Sequence, residues 1–170
     1  MIIPAYNEQD NIINVVCHIK NDYPQYDYVV INDCSKDKTE EICREEGFNY
    51  VSLPVNLGIG GAVQCGYMYA RDNDYDIAVQ LDGDGQHDVS QVEKLLEPIY
   101  KNSACMVIGS RFIEKEGFQS SLLRRAGIGI IKCVIRICCG AKVSDTTSGF
   151  RATNRELIWL FANEYANDYP

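Results

Sequence analysis

Short apolar runs alternate with stretches of helical periodicity along most of the chain. The runs predicted to be strands are Ile2–Ala5, Tyr28–Asn32, Tyr50–Leu53, Ile77–Leu81 and Met106–Gly109. The stretches predicted to be helices lie near Glu8–Lys20, Thr39–Glu46, Gly60–Arg71 and Gln91–Lys101. Strands separated by helices indicate right-handed crossovers and a mainly parallel sheet. The pattern therefore predicts an α/β, Rossmann-like fold with helices on both faces of the sheet.

Polar or glycine-rich groups follow every predicted strand. In chain order they are Asn7-Glu8, Asn32-Asp33, residues 56–61, Asp82-Gly83-Asp84 and Ser110-Arg111. Ligands of open α/β sheets bind beyond the carboxyl ends of the strands. We therefore expect one edge of the sheet to carry a binding site.

Two carboxylates separated by one glycine follow the fourth predicted strand. Asp82 and Asp84 would repel each other, and one would hold a proton, unless a cation lies there. A divalent ion such as Mg²⁺ suits this arrangement, because one or two carboxylates and substrate phosphates commonly hold it, and His87 offers a further ligand. A polar turn before a helix is an alternative interpretation. A calcium loop of the EF-hand type is another, but it would place His87 where glycine is needed.

The segment from Asn56 to Gly61 precedes a predicted helix, so its backbone amides could approach a diphosphate. Val63 stands where the last glycine of a dinucleotide fingerprint would be, which argues against that class of site. An ordinary turn at the start of a helix is the alternative.

Taken together, these segments resemble glycosyltransferase family 2, whose members have the GT-A fold. Pro4-Ala5-Tyr6-Asn7-Glu8 resembles the opening motif, and Asp82-Gly83-Asp84 matches the metal-binding DxD motif. Residues 31–39 resemble a stretch that usually contains valine-aspartate-aspartate-glycine-serine, with Asn32 and Cys34 replacing the commoner aspartate and glycine. Residues 145–151 resemble a later motif of the branch that makes polyprenyl-phosphate sugars, which includes dolichyl-phosphate mannose synthase.

The resemblance implies a role for each matched position. The residues expected to line the nucleotide are Pro4, Ala5, Tyr6, Glu8, Asp33, Ser35, Asn56, Gly58 and Gly60, with Asp33 hydrogen-bonding the base. Asp82 would face the ribose and the metal, Asp84 would hold Mg²⁺ or Mn²⁺ against the diphosphate, and His87 would complete the metal surroundings. The implied donor is a UDP- or GDP-sugar.

Two kinds of sugar acceptor are possible, and they differ in the catalytic groups that the transfer needs. A metal stabilises the departing diphosphate while the acceptor attacks from the opposite face and inverts the anomeric carbon. A lipid phosphate arrives ionised, and Arg111 with Arg124 or Arg125 could hold it. A hydroxyl of a cell-envelope glycan needs a carboxylate base, for which Asp145 is the nearest candidate in the matched motif. The sequence leaves both acceptors open.

Net charge and composition limit the classes of partner that we expect this protein to bind. The net charge of −8 argues against nucleic acid as a ligand. No apolar run is long enough to span a bilayer, whereas the basic helical stretch Leu122–Cys139 is interpreted as a core helix or as a helix lying on the membrane surface. The eight cysteines form no CxxC pair, so we expect reduced thiols in a cytoplasmic protein, at the cytoplasmic face of the membrane if the acceptor is a lipid.

We therefore expect residues 1–170 to form a single GT-A catalytic domain that is truncated at both ends. A sugar nucleotidyltransferase shares the layered architecture, but the glycine-rich, basic signature expected near its first strand is missing from Pro4 to Glu8. A non-catalytic metal-binding module is the other alternative. It is disfavoured because Asp33, Asp82 and Asp84 are all present.

Overall fold

The computed structural model of the 170-residue chain describes residues 1–81, 89–109 and 148–165. The strands are β1 (Ile2–Ala5), β2 (Val29–Asn32), β3 (Tyr50–Ser52), β4 (Ile77–Gln80), β5 (Met106–Ile108) and β6 (Arg151–Asn154). The α-helices are α1 (Ile12–Asp22), α2 (Thr39–Glu45), α3 (Gly58–Asp72), α4 (Val92–Tyr100) and α5 (Arg155–Asn163). A 3₁₀ turn, Val89–Gln91, leads into α4.

The strands form one sheet in the order β3-β2-β1-β4-β6-β5. Strands β3, β2, β1 and β4 are parallel, while β6 is antiparallel to both β4 and β5. The predicted mainly parallel sheet is therefore confirmed. Strand β6 was not among the predicted strands. Its sequence, Arg-Ala-Thr-Asn, is too polar to indicate a strand, and it forms one because it lies between two other strands.

Helices cover both faces of this sheet, as predicted. Consecutive residues of β1 point in opposite directions, so Ile3 belongs to an apolar cluster with residues of α1 and α4, and Ile2 to a second cluster with residues of α3 and α5. Gly66 of α3 lies directly against β1, since a Cβ at this position would fall 2.2 Å from Cγ2 of Ile2. This close approach sets the distance between α3 and the sheet.

Helix α1 begins at Ile12 rather than near Glu8. The amide of Glu8 donates to the hydroxyl of Thr39, and its carbonyl accepts from the amides of Asn11 and Ile12, so Glu8 lies in the loop before the helix. Helix α2 begins at Thr39, as predicted, with Glu40 and Glu41 in its first turn. Acidic side chains there interact favourably with the helix dipole.

The cysteines of the described residues form no disulfide with one another. Cys43 is fully buried between α2 and the sheet, and burial raises the pKa of its thiol to about 11, with a smaller contribution from Glu40. Such a thiol packs as a small apolar side chain. In the described ranges, no helix has the length and apolar character needed to cross a bilayer.

Candidate active site at the carboxyl edge of the sheet

Two loops that follow neighbouring parallel strands are joined by hydrogen bonds at the carboxyl edge of the sheet. The amide of Asp33 donates to the carbonyl of Ala5 at 2.9 Å, which extends the β1–β2 pairing beyond the strands. The amide of Asn7 donates to the Ser35 hydroxyl at 3.0 Å, and the amide of Lys36 donates to the Asn7 side-chain carbonyl at 2.8 Å. Asn7 has a φ of +58°, which an asparagine tolerates better than most residues. The loop after β1 and the loop after β2 therefore hold each other in place.

Hydrogen bonds of Asp37 and Thr39 also hold the same two loops together, further from the sheet. The Thr39 hydroxyl donates to Oδ1 of Asp37 at 2.6 Å and accepts from the amide of Glu8 at 2.8 Å, while the amide of Gln9 donates to Oδ2 of Asp37 at 3.1 Å. Partial burial alone would raise the pKa of Asp37, but the hydrogen bonds from Thr39 and Gln9 outweigh it and hold the pKa below its ordinary value. This carboxylate is therefore a structural acceptor that keeps the β1 loop against α2.

Asp33 ties the end of β2 to the start of α3. Its side chain is buried, and Oδ1 accepts a hydrogen bond from the amide of Leu57 at 2.7 Å. The Asn56 side-chain amide donates to the carbonyl of Asp33 at 3.1 Å. Burial raises the pKa of the Cys65 thiol, which lies about two turns into α3, and the Asp33 carboxylate raises it further. Asp33 thus places negative charge beside the first turns of α3.

The turn into α3 is a glycine-rich segment at the carboxyl edge of the sheet. Gly58 has a φ of +73°, a conformation that favours glycine, and its amide donates to the Asn56 side-chain carbonyl at 3.2 Å. Gly60 is buried in the first turn of the helix. The first amides of a helix have no partner within the helix. Here the amides of Leu57 and Gly58 already donate to Asp33 and Asn56, so only amides further into the first turn could approach an anionic group.

The two departures from the usual family motif have structural explanations. Asn32 is fully buried: its Oδ1 accepts from the amide of Ser35 at 3.2 Å, and its Nδ2 donates to the Ser52 hydroxyl at 2.7 Å and to Oε2 of Glu40 at 3.5 Å. Asn32 therefore positions Ser35 through this hydrogen bond. Because Asn32 is fully buried, it presents no surface to a ligand. Cys34 has a φ of +55°, the left-handed conformation for which the commoner glycine is suited.

The structure brings the described members of the predicted nucleotide site to one edge. They lie at the end of β1 and in the loop after it (Pro4, Ala5, Tyr6, Glu8), at the end of β2 (Asp33, Ser35), and at the start of α3 (Asn56, Gly58, Gly60). Pro4 and Ala5 are buried in the strand, whereas Tyr6 is 42% exposed at the edge. The carboxylate of Glu8 accepts from the Asn11 side chain at 2.9 Å.

The remaining predicted site residues lie outside the described residues: Asp82, Asp84, His87, Arg111, Arg124, Arg125 and Asp145. The residues that the structure does describe include no group of three or more histidine, cysteine, aspartate or glutamate side chains arranged to hold a metal. Strand β4 runs parallel to β1, and the amide of Leu81 donates to the carbonyl of Ile2 at 2.9 Å. The chain therefore runs toward the carboxyl edge as it approaches Asp82.

The structure also identifies bracing residues to which the sequence assigned no function. Asn7 fixes Ser35, and the pair Asp37 and Thr39 fixes Glu8 and Gln9. The spacing of Asp37 and Thr39 carried a signal, because an aspartate two residues before a threonine at a helix start can accept from the backbone locally. Their partners in the other loop lie about thirty residues earlier in the chain, so the spacing alone could not reveal the connection.

Comparisons with known proteins agree with this architecture. The family model described as "Glycosyl transferase family 2" matches residues 1–160. The UDP-N-acetylglucosamine–dolichyl-phosphate N-acetylglucosaminyltransferase of Methanococcus voltae is 31% identical over 183 residues, covering 96% of this chain and 72% of that protein. The undecaprenyl-phosphate mannosyltransferase of Micrococcus luteus is 29% identical, covering 92% of this chain and 66% of that protein.

Solved structures share the fold at lower sequence identity. The glucosyl-3-phosphoglycerate synthase of Mycobacterium tuberculosis, in complex with Mn²⁺ and UDP-glucose, matches with a TM-score of 0.67 at 24% identity, over 92% of this chain and 55% of that one. The mannosyl-3-phosphoglycerate synthase of Rubrobacter xylanophilus matches with a TM-score of 0.70 at 17% identity, over 92% of this chain and 52% of that one. The chain thus spans about half the length of these solved structures. On the family match, the order of the strands and the braced carboxyl edge, this chain belongs to glycosyl transferase family 2 and has the GT-A fold.

Proposed function

We propose that this chain is the catalytic domain of an inverting glycosyltransferase that moves a hexose from a nucleoside-diphosphate sugar to a polyprenyl phosphate. The observation that carries the proposal is the braced edge, where Asp33 and the first turn of α3 are held together by the hydrogen bond to Leu57. It is supported by relatives whose names specify transfer of a sugar to dolichyl or undecaprenyl phosphate.

The donor's nucleotide is assigned to the described part of this edge. A carboxylate held in a fixed position, such as that of Asp33, can accept from the ring N–H of uracil or of guanine, so it suits UDP- and GDP-sugars alike. Tyr6, partly exposed at the end of β1, offers an aromatic surface to the base or ribose. The turn at Gly58 leads into α3, whose first-turn amides beyond Gly58 could approach an anionic group.

Mg²⁺ or Mn²⁺ would be held by the carboxylates of Asp82 and Asp84, which are hard donors of the kind these cations bind, with the borderline imidazole of His87 as a further ligand. When bound, the metal supplies a Lewis acid that stabilises charge on the departing diphosphate. A relative of the same fold has been solved with Mn²⁺ and UDP-glucose together, which supports a divalent metal here.

The acceptor is assigned to the basic half of the chain. Residues 1–100 carry 18 acidic and 6 basic side chains, whereas residues 101–170 carry 6 acidic and 10 basic ones. Arg111, Arg124 and Arg125 would bind the lipid phosphate, which is already ionised and needs no strong base to attack. With this acceptor, the protein would act in peripheral contact with the cytoplasmic face of a membrane. If a glycan hydroxyl were the acceptor instead, Asp145 would serve as the base.

The test is a transfer assay with the intact protein. Purified enzyme is incubated with UDP-glucose, UDP-N-acetylglucosamine or GDP-mannose, with Mn²⁺ or Mg²⁺, and with either a polyprenyl phosphate or a soluble glycan. We expect one donor to yield a glycosylated lipid, detected by mass spectrometry, with inversion at the anomeric carbon. Product on the glycan alone would replace the lipid acceptor by the hydroxyl acceptor. A folded enzyme that neither transfers nor hydrolyses any donor would overturn the proposal.

A further inference from the structure

Within the described ranges, the buried side-chain polar atoms without a hydrogen-bond partner are Oη of Tyr67, Oε1 of Gln80 and Nε of Arg151. Buried polar atoms are nearly always paired, so each of these requires an explanation. They come from three separate elements, namely α3, β4 and β6. A shared location would let one cause explain all three.

Gln80 and Arg151 lie side by side in the sheet. They are directly opposite each other in the antiparallel β4–β6 ladder, so their side chains extend from the same face. Ala78, two residues before Gln80, belongs to the apolar cluster of α3 and α5, and side chains two residues apart in a strand share a face. Gln80 and Arg151 therefore both extend toward α3 and α5.

Tyr67 reaches the same place from α3. Its side chain is fully buried, and its ring lies 5.2 Å from that of Phe161 and 5.8 Å from that of Tyr165, measured between centroids. Burial raises the pKa of the Tyr67 hydroxyl to about 12, while Thr153 and the Arg151 guanidinium act in the opposite direction. The face of β4 and β6 that carries Gln80 and Arg151 also carries Ala78, which packs in the same apolar cluster as Tyr67. Thr153 lies outside hydrogen-bonding geometry with that hydroxyl, and its own hydroxyl donates to the carbonyl of Ala78 at 3.3 Å.

The three atoms form a complementary set. Nε of Arg151 is a donor, Oε1 of Gln80 is an acceptor, and the Tyr67 hydroxyl can do either. A second guanidinium nitrogen of Arg151 donates to the carbonyl of Ser148 at 3.1 Å, which restricts the orientation of the group. An anion would be repelled by the Gln80 carbonyl, which is an acceptor. One water can accept from Arg151, donate to Gln80 and bond to Tyr67, which is about the three hydrogen bonds that a buried water typically makes.

We propose that Tyr67, Gln80 and Arg151 hold one internal water molecule and that this water fixes the segment of β4 leading to Asp82. Gln80 precedes Asp82 by two residues, so its side chain anchors the backbone from which the predicted metal ligand extends. Arg151 is then a positioning residue, acting through the water and Gln80. The consequence for donor binding rests on the proposed function, whereas the water itself does not.

The water is tested by a crystal structure of the full chain at a resolution that shows ordered solvent. We expect one water within hydrogen-bonding distance of Oη of Tyr67, Oε1 of Gln80 and Nε of Arg151. A dry cluster, or a direct hydrogen bond between Arg151 and Gln80 in place of the water, would overturn the proposal. This readout does not depend on whether the enzyme binds any donor.

The positioning role is tested with Gln80→Met, which keeps the length of the side chain and removes the acceptor. Ile158→Val is the matched control, since Ile158 is fully buried in the same α3–α5 cluster and loses only a methylene. We expect Gln80→Met to weaken Mn²⁺-dependent binding of the nucleoside diphosphate about tenfold, as for residues that orient metal ligands. Ile158→Val should leave that affinity unchanged at a comparable loss of thermal stability.

Arg151→Lys keeps the charge but removes the Nε donor, and it should behave like Gln80→Met. Equal affinities for Gln80→Met, Arg151→Lys and the control would refute the positioning role. If the unmutated protein binds no nucleotide with Mn²⁺, the proposed function fails. The water is still decided by the crystal structure.

Discussion

The carboxylate of Asp33 accepts a hydrogen bond from the backbone amide of Leu57 at 2.7 Å and so connects the end of β2 to the first turn of α3. The family resemblance assigns Asp33 to the nucleotide base, and the structure adds a second task for the same side chain. One oxygen anchors α3, and Oδ2 takes no part in that contact. The two tasks can be separated by substitution.

Asp33→Asn retains a carbonyl oxygen for the Leu57 amide and removes the charge. We expect its melting temperature to stay close to that of the unmutated protein, while its affinity for UDP or GDP falls about tenfold through loss of a charge-assisted hydrogen bond. Asp33→Ala removes both contacts and should in addition lose about 1–2 kcal/mol of unfolding free energy. Calorimetry and thermal denaturation measure the two effects. Unchanged affinity in Asp33→Asn would remove the carboxylate from the base-binding site.

Asn32→Asp restores the residue that is commoner in the family, yet we expect it to destabilise this protein. The new carboxylate would be fully buried beside Glu40, whose Oε2 accepts from the Asn32 amide at 3.5 Å. We expect a loss of about 3 kcal/mol at neutral pH, because a buried carboxylate facing a second carboxylate is costly even when it accepts from the Ser35 amide. Burial raises the pKa of the introduced acid, so the penalty is absent at pH values below its unfolded pKa and grows as the pH rises through the folded pKa.

The double variant Asn32→Asp with Glu40→Gln is the control for that interpretation. A glutamine at position 40 can donate to the new carboxylate, so most of the lost stability should return. Urea denaturation of the single and double variants gives the coupling energy between the two positions. A coupling near zero would show that Glu40 is not the cause.

Asp37 predicts a specific acid sensitivity of the braced loops. Its pKa is lowered from 3.8 in the folded protein by the hydrogen bonds from Thr39 and Gln9, which outweigh its burial. A lowered folded pKa contributes stability above the unfolded pKa, and that contribution is lost as the pH falls through the folded value. The unmutated protein should therefore be more stable than Asp37→Asn at pH 7, and the difference should shrink below about pH 4. Denaturant titrations across this range measure it, and a difference independent of pH would contradict the assignment.

Thr39→Val tests the same brace without changing charge. Valine matches the shape of threonine but can neither accept from the Glu8 amide nor donate to Asp37. We expect a loss of about 1–2 kcal/mol of unfolding free energy, and faster amide hydrogen exchange at Glu8. Exchange at Glu8 that is no faster than in the unmutated protein would show that the loop is held by other contacts.

Asp84→Ala should abolish sugar transfer while the protein remains folded. The reason is that this carboxylate is expected to hold the metal against the diphosphate, and chelation of the metal should have the same effect. Asp72→Ala is the control, since Asp72 is a 60% exposed side chain at the far end of α3 and should leave transfer unchanged. Transfer at the full rate by Asp84→Ala, or in excess chelator, would exclude the proposed metal site.

Most strands could be predicted because their signal is local. Strand β1 has its predicted bounds, and β2, β3, β4 and β5 each begin or end within one residue of the prediction. Helix α1 was predicted to begin too early, since nothing in the local pattern shows that the Glu8 amide is bonded to Thr39. Strand β6 could not be predicted from its own residues, because its conformation depends on pairing with β4 and β5.

The candidate site divides in the same way. The motifs predicted that Asp33, Asn56 and Gly58 belong to one site, and the parallel order of β1, β2 and β3 brings them to one edge. The sequence did not show that Asp33 anchors α3, or that Asn32 is buried and positions Ser35. These contacts join side chains to residues of other loops, so they depend on how the loops are placed relative to one another.

The sequence by itself determined the α/β class, the covering of the sheet on both faces and the family. These follow from repeats of two and 3.6 residues, and from motifs that lie within a few positions of one another. Only the tertiary structure decided that β6 lies between β4 and β5, that two loops brace each other through Asn7 and Ser35, and that Gln80 and Arg151 lie opposite each other in the β4–β6 ladder. Each of these contacts joins residues that are far apart in the chain. Such contacts form only when the helices pack onto the sheet.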